Sequence, residues 1–233
     1  RAWKEQTSEL ENPFPVEADP LDDIISRLGY QLTGAQQQVW KEIRQDMSGK
    51  STMNRLIQGD VGSGKTIIAF LAMILAARNH LQSALMVPTE VLANQHYEAF
   101  TRLTIQQGLP IQAVLLTGSM TVKQKRAAYE KIAAHEADVV IGTHAVIQEK
   151  VVFDRLGLVI TDEQHRFGVR QREALGEKAG KMPHTMVMSA TPIPRTLAVI
   201  LYGDLEISTI DELPSNRIPI RNCVVNKKKK KKA

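Results

Sequence analysis

The sequence has almost no cysteine, since Cys223 is the only one among 233 residues. One thiol cannot form a disulfide within the chain, and it cannot build a cysteine-based metal cluster. The six histidines do not stand at zinc-ligand spacing either. This composition is typical of a protein from a reducing compartment, so we expect the protein to be cytoplasmic.

The sequence also lacks a long hydrophobic run. Its longest apolar stretch covers residues 67–77 and ends at Arg78, whereas a helix that spans a bilayer needs about 20 apolar residues. The stretch therefore predicts a buried helix of a globular protein, and we expect no membrane partner.

Apart from its last residues, the sequence has no excess of charge of either sign. The net charge is +5, but six of the 30 basic residues form the run 227–232, and the other 24 are balanced by 25 acidic residues. Global charge therefore gives no argument for nucleic-acid binding, which has to be argued from local motifs. We expect residues 227–233 to be a tag or a placeholder rather than a basic arm.

Short apolar segments alternate with helical patterns along most of the chain. Residues 1–30 are polar and contain three prolines, so we predict a linker or arm outside the core, with a short helix around 21–28. One domain is predicted for residues 31–226, and its first helix runs from the capping residue Thr33 to Met47. The predicted strands are 54–58, 84–87, 113–116, 139–142, 158–161 and 186–189. The predicted helices between them are 65–80, 90–107, 121–136 and 169–179.

The predicted strands are short and aliphatic, without strict alternation, which is typical of strands buried on both faces. Strand and helix alternate at a spacing that predicts an α/β fold, with a mostly parallel central sheet and helices on both faces. Ligands of such open sheets bind at the carboxyl ends of the strands. Nearly all the unusual residues of this sequence lie on the turns that follow those ends.

The strongest motif is a phosphate-binding P-loop between the first predicted strand and the apolar helix. Its residues are Gly59, Asp60, Val61, Gly62, Ser63, Gly64, Lys65 and Thr66. The glycines let backbone N–H groups turn towards phosphate oxygens, and the helix adds the positive end of its dipole. Lys65 supplies charge for the β- and γ-phosphates, and the Thr66 hydroxyl is a ligand for Mg²⁺. Because strand, motif and helix occur in the required order, a glycine-rich loop without a ligand is the weaker interpretation.

Two acidic residues end the fifth predicted strand. Asp162 and Glu163 follow an apolar segment about 100 residues after the P-loop. Asp162 would hold Mg²⁺, directly or through water, and Glu163 would position a water for attack on the γ-phosphate. Taken alone, the pair is equally consistent with a solvated acidic turn, and the P-loop upstream favours the metal site.

The residues around these two motifs resemble superfamily 2 helicases. The segments similar to motifs II and III of that superfamily are Asp162-Glu163-Gln164-His165 and Ser189-Ala190-Thr191. Those similar to its DNA-facing motifs are Pro88-Thr89-Glu90 with Gln95 and His96 (motif Ia), Thr117-Gly118-Ser119 (motif Ib) and Gly142-Thr143-His144. Gln36 and Tyr30 stand where such enzymes carry an adenine-recognising glutamine and a stacking aromatic residue.

This resemblance implies a RecA-like P-loop NTPase domain that binds ATP and Mg²⁺. The implied catalytic residues are Lys65, Asp162 and Glu163, with Thr66 and Asp162 as metal ligands. Tyr30, Gln36 and His165 join the P-loop in the nucleotide-binding set. The implied DNA contacts are Pro88, Thr89, Glu90, Gly118, Ser119, Thr143 and His144. The residues implied to couple nucleotide state to DNA are Gln164, Ser189, Ala190 and Thr191.

Longer strings resemble one family within this superfamily, the RecG family of bacterial ATP-dependent DNA helicases. These strings are 59–66, 162–168, 188–197, 202–205 and 210–214, and the resemblance covers about residues 30–226. The transcription-repair coupling translocases share several of these strings. They typically carry glutamate and glutamine, however, where this chain has Gln164 and His165.

The RecG resemblance implies a motor that translocates on double-stranded DNA and remodels stalled replication forks and branched recombination intermediates such as Holliday junctions. Such proteins grip the branch point with a wedge domain and bind ATP between two RecA-like lobes, and we expect a monomer. The chain starts at Arg1 rather than at methionine and contains first-lobe motifs only. We therefore expect a part of a longer protein that is nearly inactive by itself.

Three other interpretations stay open at this point. A transcription-repair coupling translocase shares the motor motifs. A P-loop kinase of a small metabolite explains the nucleotide site but leaves the ordered helicase motifs to coincidence. A nucleotide-binding module without significant turnover is the third, because an arginine finger from another lobe contributes about 10³–10⁵ in rate.

Overall fold

The central feature of the computed structural model is a seven-stranded sheet in which every pairing is parallel. The structure describes residues 12–162, 182–191 and 205–212. The strands are β1 (Asn54–Gly59), β2 (Gln82–Met86), β3 (Ala113–Leu116), β4 (Val139–Gly142), β5 (Leu156–Asp162), β6 (His184–Ser189) and β7 (Glu206–Ile210). Their order in the sheet is β3-β4-β2-β5-β6-β1-β7. The predicted α/β class with a parallel central sheet is confirmed.

Helices connect most of the described strands. They are α1 (Asp22–Ile25), α2 (Gly34–Ser48), α3 (Lys65–Arg78), α4 (Glu90–Gln107) and α5 (Val122–Ala133), and a 3₁₀ turn covers His144–Ile147. The helix starts follow side-chain chemistry: Thr33 caps α2 and Thr121 caps α5, each in a reciprocal capping box with the glutamine three residues later. The predicted cap at Thr33 is confirmed. The predicted helix 169–179 lies outside the described residues.

The two faces of the sheet are covered by different helices. Alternate residues of β4 show this division, because Val139 and Ile141 belong to the apolar cluster that includes α2, α3 and α4, while Val140 belongs to the cluster that includes α5 and the 3₁₀ turn. Period-two alternation sends neighbouring side chains to opposite faces, and both faces are apolar here. The sheet is therefore buried between helical layers, as the aliphatic strands predict.

Helix α3 is apolar on all sides, and every residue from Ile68 to Ala76 is buried. A helix that is hydrophobic all round has to be enclosed by the rest of the protein. Among the described helices, none is both long and apolar enough to cross a membrane. The prediction of a buried helix is confirmed, and α3 holds the P-loop on the core.

The prediction that residues 1–30 lie outside the core is wrong for the part that the structure describes. Phe14, Val16, Leu21 and Ile24 are buried and join the same apolar cluster as α2 and α3. The indole N–H of Trp40 also donates to the carbonyl of Pro20 at 2.9 Å. The prolines shape an extended segment that packs on the domain, although composition alone suggests a linker.

Three strands begin two residues earlier than the sequence predicts. β2 starts at Gln82 rather than at residue 84, β5 starts at Leu156, and β6 starts at His184. β7 was not predicted at all. It is fixed to β1 and α2 through Arg55, whose guanidinium contacts Glu42 at 3.0 Å, Asp46 at 2.7 Å and Ser208 at 2.6 Å.

Candidate functional site

The carboxyl ends of β1, β6 and β5 bring the two nucleotide motifs to one edge of the sheet. β1 runs into the P-loop at Gly59, β5 ends at Asp162, and β6 lies between them and ends at Ser189. Asp162 pairs in register with Met188, and Met188 pairs with Ile57. Strands lie about 4.8 Å apart, so β1 and β5 are separated by about 10 Å at this edge. That span is suited to a phosphate chain and its metal ion.

The P-loop backbone takes conformations that require glycine. Gly62 and Gly64 have φ of 84° and 88°, in the left-handed region that other residues rarely adopt. A Cβ on Gly59 would lie 2.6 Å from Ser63 Oγ and 2.8 Å from the carbonyl oxygen of Ile210. The loop is therefore packed against its own hydroxyl and against β7.

The Lys65 ammonium folds over this loop. It donates to the carbonyl of Gly59 and, at 3.0 Å, to the carbonyl of Asp60. The loop closes through the Ser63 N–H, which donates to Asp60 O at 3.0 Å. Lys65 and Thr66 form the first turn of α3, whose N-terminus favours anions. The predicted phosphate-binding elements thus lie together.

Gln36 connects α2 to the P-loop. Its Oε1 accepts from the Thr33 N–H at 2.9 Å, and its Nε2 donates to the Ser63 carbonyl at 2.8 Å. The side chain is buried, whereas Tyr30, six residues earlier, is 46 % exposed. The helicase resemblance implies that both residues contact adenine. The structure adds a contact that the sequence did not predict, a direct link from the Gln36 amide to the phosphate loop.

The Asp162 carboxylate is held by a residue from a different motif. His96 Nε2, on α4, lies 3.2 Å from Asp162 Oδ2, and only 12 % and 15 % of the two side chains is exposed. In the sequence, His96 is part of the segment similar to motif Ia, and that pattern predicts no contact with the nucleotide side. No local signal could find this contact, because the two residues are 66 positions apart.

The proposed DNA-facing segments meet around the start of α4. Thr89 caps this helix by accepting from the Leu92 N–H at 3.2 Å, and Glu90 accepts from the Ser119 N–H at 2.8 Å. Hydrogen bonds from Ser119 hold the pKa of Glu90 below its usual value. Lys125 of α5 donates to the Gly118 carbonyl at 2.7 Å. Motifs Ia and Ib are therefore joined by protein contacts, with Pro88 at the turn before the cap.

The turn after β4 is packed on the same group. The Thr143 N–H donates to the Leu116 carbonyl at 3.2 Å, and His144 begins the 3₁₀ turn. A Cβ on Gly142 would come within 2.0 Å of that Leu116 carbonyl. Only glycine lets β4 and β3 approach so closely here, and this approach positions Thr143 beside motif Ib.

The turn after β6 is closed on itself by hydroxyl groups. Ser189 Oγ accepts from the Thr191 N–H at 3.2 Å and lies 3.2 Å from Thr191 Oγ1, with Ala190 between them. This arrangement places the motif III residues between the P-loop strand and the Asp162 strand. Glu163, Gln164 and His165, the remaining predicted site residues, lie outside the described residues, as does the basic tail.

Comparisons with known proteins agree with this geometry. The sequence profile described as DEAD/DEAH box helicase matches residues 33–200. Over 217 residues the chain is 51 % identical to the ATP-dependent DNA helicase RecG of Aquifex aeolicus, covering 92 % of this chain and 27 % of that protein. It is 47 % identical to the protein of the same name from Bacillus subtilis, covering 93 % of this chain and 31 % of the relative.

Solved structures show the same fold. A structure of RecG bound to a three-way DNA junction matches with a TM-score of 0.78 and 43 % identity, over 94 % of this chain and 29 % of that one. The helicase MrfA bound to DNA and AMPPNP matches with a TM-score of 0.64 over 86 % of this chain and 30 % of that one. Its 18 % identity shows the fold alone. The chain thus spans about 30 % of the length of the RecG proteins compared here.

Proposed function

Because the chain belongs to the DEAD/DEAH box helicase family, we propose that it is the ATP-binding motor lobe of a DNA helicase. In the complete protein, ATP hydrolysis would drive translocation on double-stranded DNA and remodel stalled forks and branched recombination intermediates. The observation that carries this proposal is the placement of the P-loop and Asp162 at one sheet edge, in a chain about half identical to RecG helicases.

The donor set at this edge fits a magnesium nucleotide. Asp162 and Thr66 offer carboxylate and hydroxyl oxygens, which Mg²⁺ prefers together with substrate phosphates. When bound, Mg²⁺ neutralises charge on the β- and γ-phosphates. Lys65, which donates to the Gly59 and Asp60 carbonyls, would hold those phosphates together with the N–H groups of the glycine-rich turn. Glu163 would serve as the base for the attacking water.

Gln36 would connect the adenine site to the phosphate loop. Its amide contacts the Ser63 carbonyl, and its position at the first turn of α2 allows it to meet adenine beside Tyr30. A base bound at Gln36 would therefore contact the residue that is bonded to the phosphate loop. His165 and the Ser189–Thr191 turn complete the proposed link between the nucleotide and the DNA-facing side.

The DNA contacts follow from the segments around α4. The hydroxyl groups of Thr89, Ser119 and Thr143 can donate to phosphate oxygens, and contacts to the DNA backbone carry no sequence information. Glu90 contributes differently, since its carboxylate would repel a phosphate and instead holds the Ser119 turn in place. Binding is expected to weaken steeply with salt.

The partners of this lobe in the complete protein are a second RecA-like lobe and a branch-gripping wedge domain. Their role is proposed from the RecG relatives, of which this chain covers about 30 %. ATP would lie between the two lobes of one monomer, in the cytoplasm.

The experiment that tests the function is an ATPase assay of the full-length protein with no DNA, linear duplex or a model fork. Lys65→Ala is the matched control, because it removes the side chain that carries the phosphate-binding ammonium. Stronger stimulation by the fork than by linear duplex, lost in Lys65→Ala, is the expected result. Equal stimulation by both DNAs would assign a general duplex translocase, and the absence of any stimulation would refute the helicase assignment.

A further inference from the structure

The contact between His96 and Asp162 joins a helix of the DNA-facing side to the proposed metal ligand. His96 lies on α4, six residues after the motif Ia residue Glu90. Its Nε2 is 3.2 Å from Asp162 Oδ2. Because an ionised carboxylate only accepts hydrogen bonds, Nε2 must carry the hydrogen, and the ring is held in one tautomer.

The imidazole is fixed by packing as well as by this hydrogen bond. Phe70 of α3 meets it edge to face, with ring centroids 6.3 Å apart and an interplanar angle of 84°. Phe70 in turn packs edge to face on Phe100 at 5.2 Å, and Phe100 is fully buried. Phe70 is one helical turn after Thr66, so it lies on the same face of α3 as the other proposed metal ligand.

A carboxylate that binds a metal benefits from a partner that fixes its rotation. Asp162 has two oxygens, and the bond from His96 goes to Oδ2, which leaves Oδ1 available to a metal ion. Partners of this kind orient metal ligands, and their loss typically costs about 10–100-fold in metal affinity or activity. The low exposure of both side chains keeps water from replacing the bond.

We propose that His96 is a positioning residue that orients the Asp162 carboxylate for Mg²⁺ in the nucleotide complex. This inference rests on the proposed function, since it requires a magnesium nucleotide at the P-loop. His96 belongs to the motif Ia segment on α4, and it would act at the nucleotide site through its contact with Asp162 at the end of β5.

The chain offers a matched pair for comparison. His135 Nδ1 lies 2.8 Å from Asp154 Oδ2, and Asp154 precedes β5 whereas Asp162 ends it. This second histidine–aspartate pair therefore sits at the opposite edge of the same sheet. Asp154→Ala removes such a pair without touching the nucleotide edge.

The test measures metal binding separately from nucleotide binding in the full-length protein. The affinity for ADP is determined by calorimetry in excess EDTA, and the affinity of the ADP complex for Mg²⁺ is determined by titration. The variants are His96→Leu, which fills the space against Phe70 without a donor, and His96→Gln, whose Nε2 can replace the imidazole donor. Asp154→Ala is the control.

We expect His96→Leu to weaken Mg²⁺ binding by at least about tenfold and to leave the affinity for ADP in EDTA within twofold of wild type. His96→Gln should recover most of the loss, and Asp154→Ala should match the wild type. Unchanged Mg²⁺ affinity in His96→Leu, or equal losses with and without metal, would overturn the inference. If the wild type itself gains no ADP affinity from Mg²⁺, the proposed function fails instead.

Discussion

Gly64 of the P-loop and Gly29 have similar left-handed backbone conformations but differ in the space around them. Gly64 has φ of 88° and Gly29 has φ of 78°. A Cβ on Gly64 would come within 2.1 Å of Gln36 Nε2, whereas a Cβ on Gly29 would meet nothing within 4 Å. Gly64 is thus favoured both by its backbone conformation and by the close approach of Gln36, whereas Gly29 is favoured by its backbone conformation alone.

The corresponding prediction compares Gly64→Ala with Gly29→Ala. Gly29→Ala should lower the free energy of unfolding by about 1–2 kcal/mol, the cost of a left-handed residue, and should leave nucleotide binding unchanged. Gly64→Ala carries the same cost and also displaces the Gln36 amide, so we expect at least about tenfold weaker nucleotide binding, or about 1.4 kcal/mol. Urea unfolding and ADP titration measure the two effects. Wild-type affinity in Gly64→Ala would show that the Gln36 contact is dispensable.

Whether a site residue could be predicted depends on how far it lies in sequence from the residue it contacts. The P-loop and Asp162 could be predicted, because each motif is contiguous and follows a recognisable strand. The contact of Gln36 with Ser63 spans 27 positions, and that of His96 with Asp162 spans 66. Such contacts depend on how α2 and α4 pack, and no local pattern encodes them.

At the scale of helices and strands, prediction succeeded for the aliphatic centres of the strands and missed the polar residues that begin β2 and β6 and the mixed strand β7. β3 and β4 match their predicted bounds. β2 was predicted two residues short, because Gln82 is buried with its amide bonded to the Ile132 and Ala137 carbonyls and to two backbone N–H groups, those of Asp154 and Arg155. β7 is half exposed and includes Ser208 and Thr209, so it gave no aliphatic run.

The start of β6 depends on a buried neutral histidine. His184 Nδ1 accepts from the Met53 N–H at 3.0 Å, and Nε2 lies 2.9 Å from the Phe14 carbonyl. Burial lowers the pKa of His184 below its usual value near 6.5. A second proton on the ring would break the bond from Met53. Only the neutral imidazole can accept from Met53 and donate to Phe14 at the same time, so it joins the segment before α1 to the residue that precedes β1.

This attachment predicts a loss of stability at mildly acidic pH. Above about pH 6.5 the imidazole is neutral in both the folded and the unfolded chain, so it contributes no pH dependence. As the pH falls below that value, the unfolded chain gains a proton that the folded chain resists, and the free energy of unfolding decreases until the lowered folded pKa is reached. Urea unfolding at pH 7.5 and 5.5 should show this decrease.

The control for this effect is a pair of asparagine variants. His184→Asn should have a lower free energy of unfolding than the wild type at pH 7.5. The decrease in that free energy between pH 7.5 and 5.5 should be smaller than in the wild type. His80→Asn should keep the wild-type difference, because His80 is exposed and asparagine tolerates its φ of 55°. A wild-type pH dependence in His184→Asn would show that other groups cause it.

At the scale of the whole molecule, the parallel sheet explains why the nucleotide motifs and the proposed DNA-facing motifs lie at the same edge. All strand ends that carry motifs point the same way, so the nucleotide turns after β1 and β5 are continuous with the turns after β2, β3 and β4. α4 crosses this arrangement, with Glu90 at one end and His96 against Asp162. A displacement of α4 by DNA would therefore move His96 against Asp162, the proposed metal ligand.

The same architecture predicts that this lobe binds nucleotide but hardly hydrolyses it. The residues proposed to hold the phosphates and the metal lie on one sheet, whereas the helicase resemblance implies an arginine finger from a second lobe, which contributes about 10³–10⁵ in rate. We expect the isolated chain to bind ADP weakly and to hydrolyse ATP at least about 10³-fold more slowly than the full-length protein with forked DNA. Coupled ATPase assays of both proteins give the comparison, and circular dichroism establishes that the isolated chain is folded. Brisk DNA-stimulated turnover by the folded isolated chain would contradict the need for a second lobe, because it would place every group required for hydrolysis within these residues.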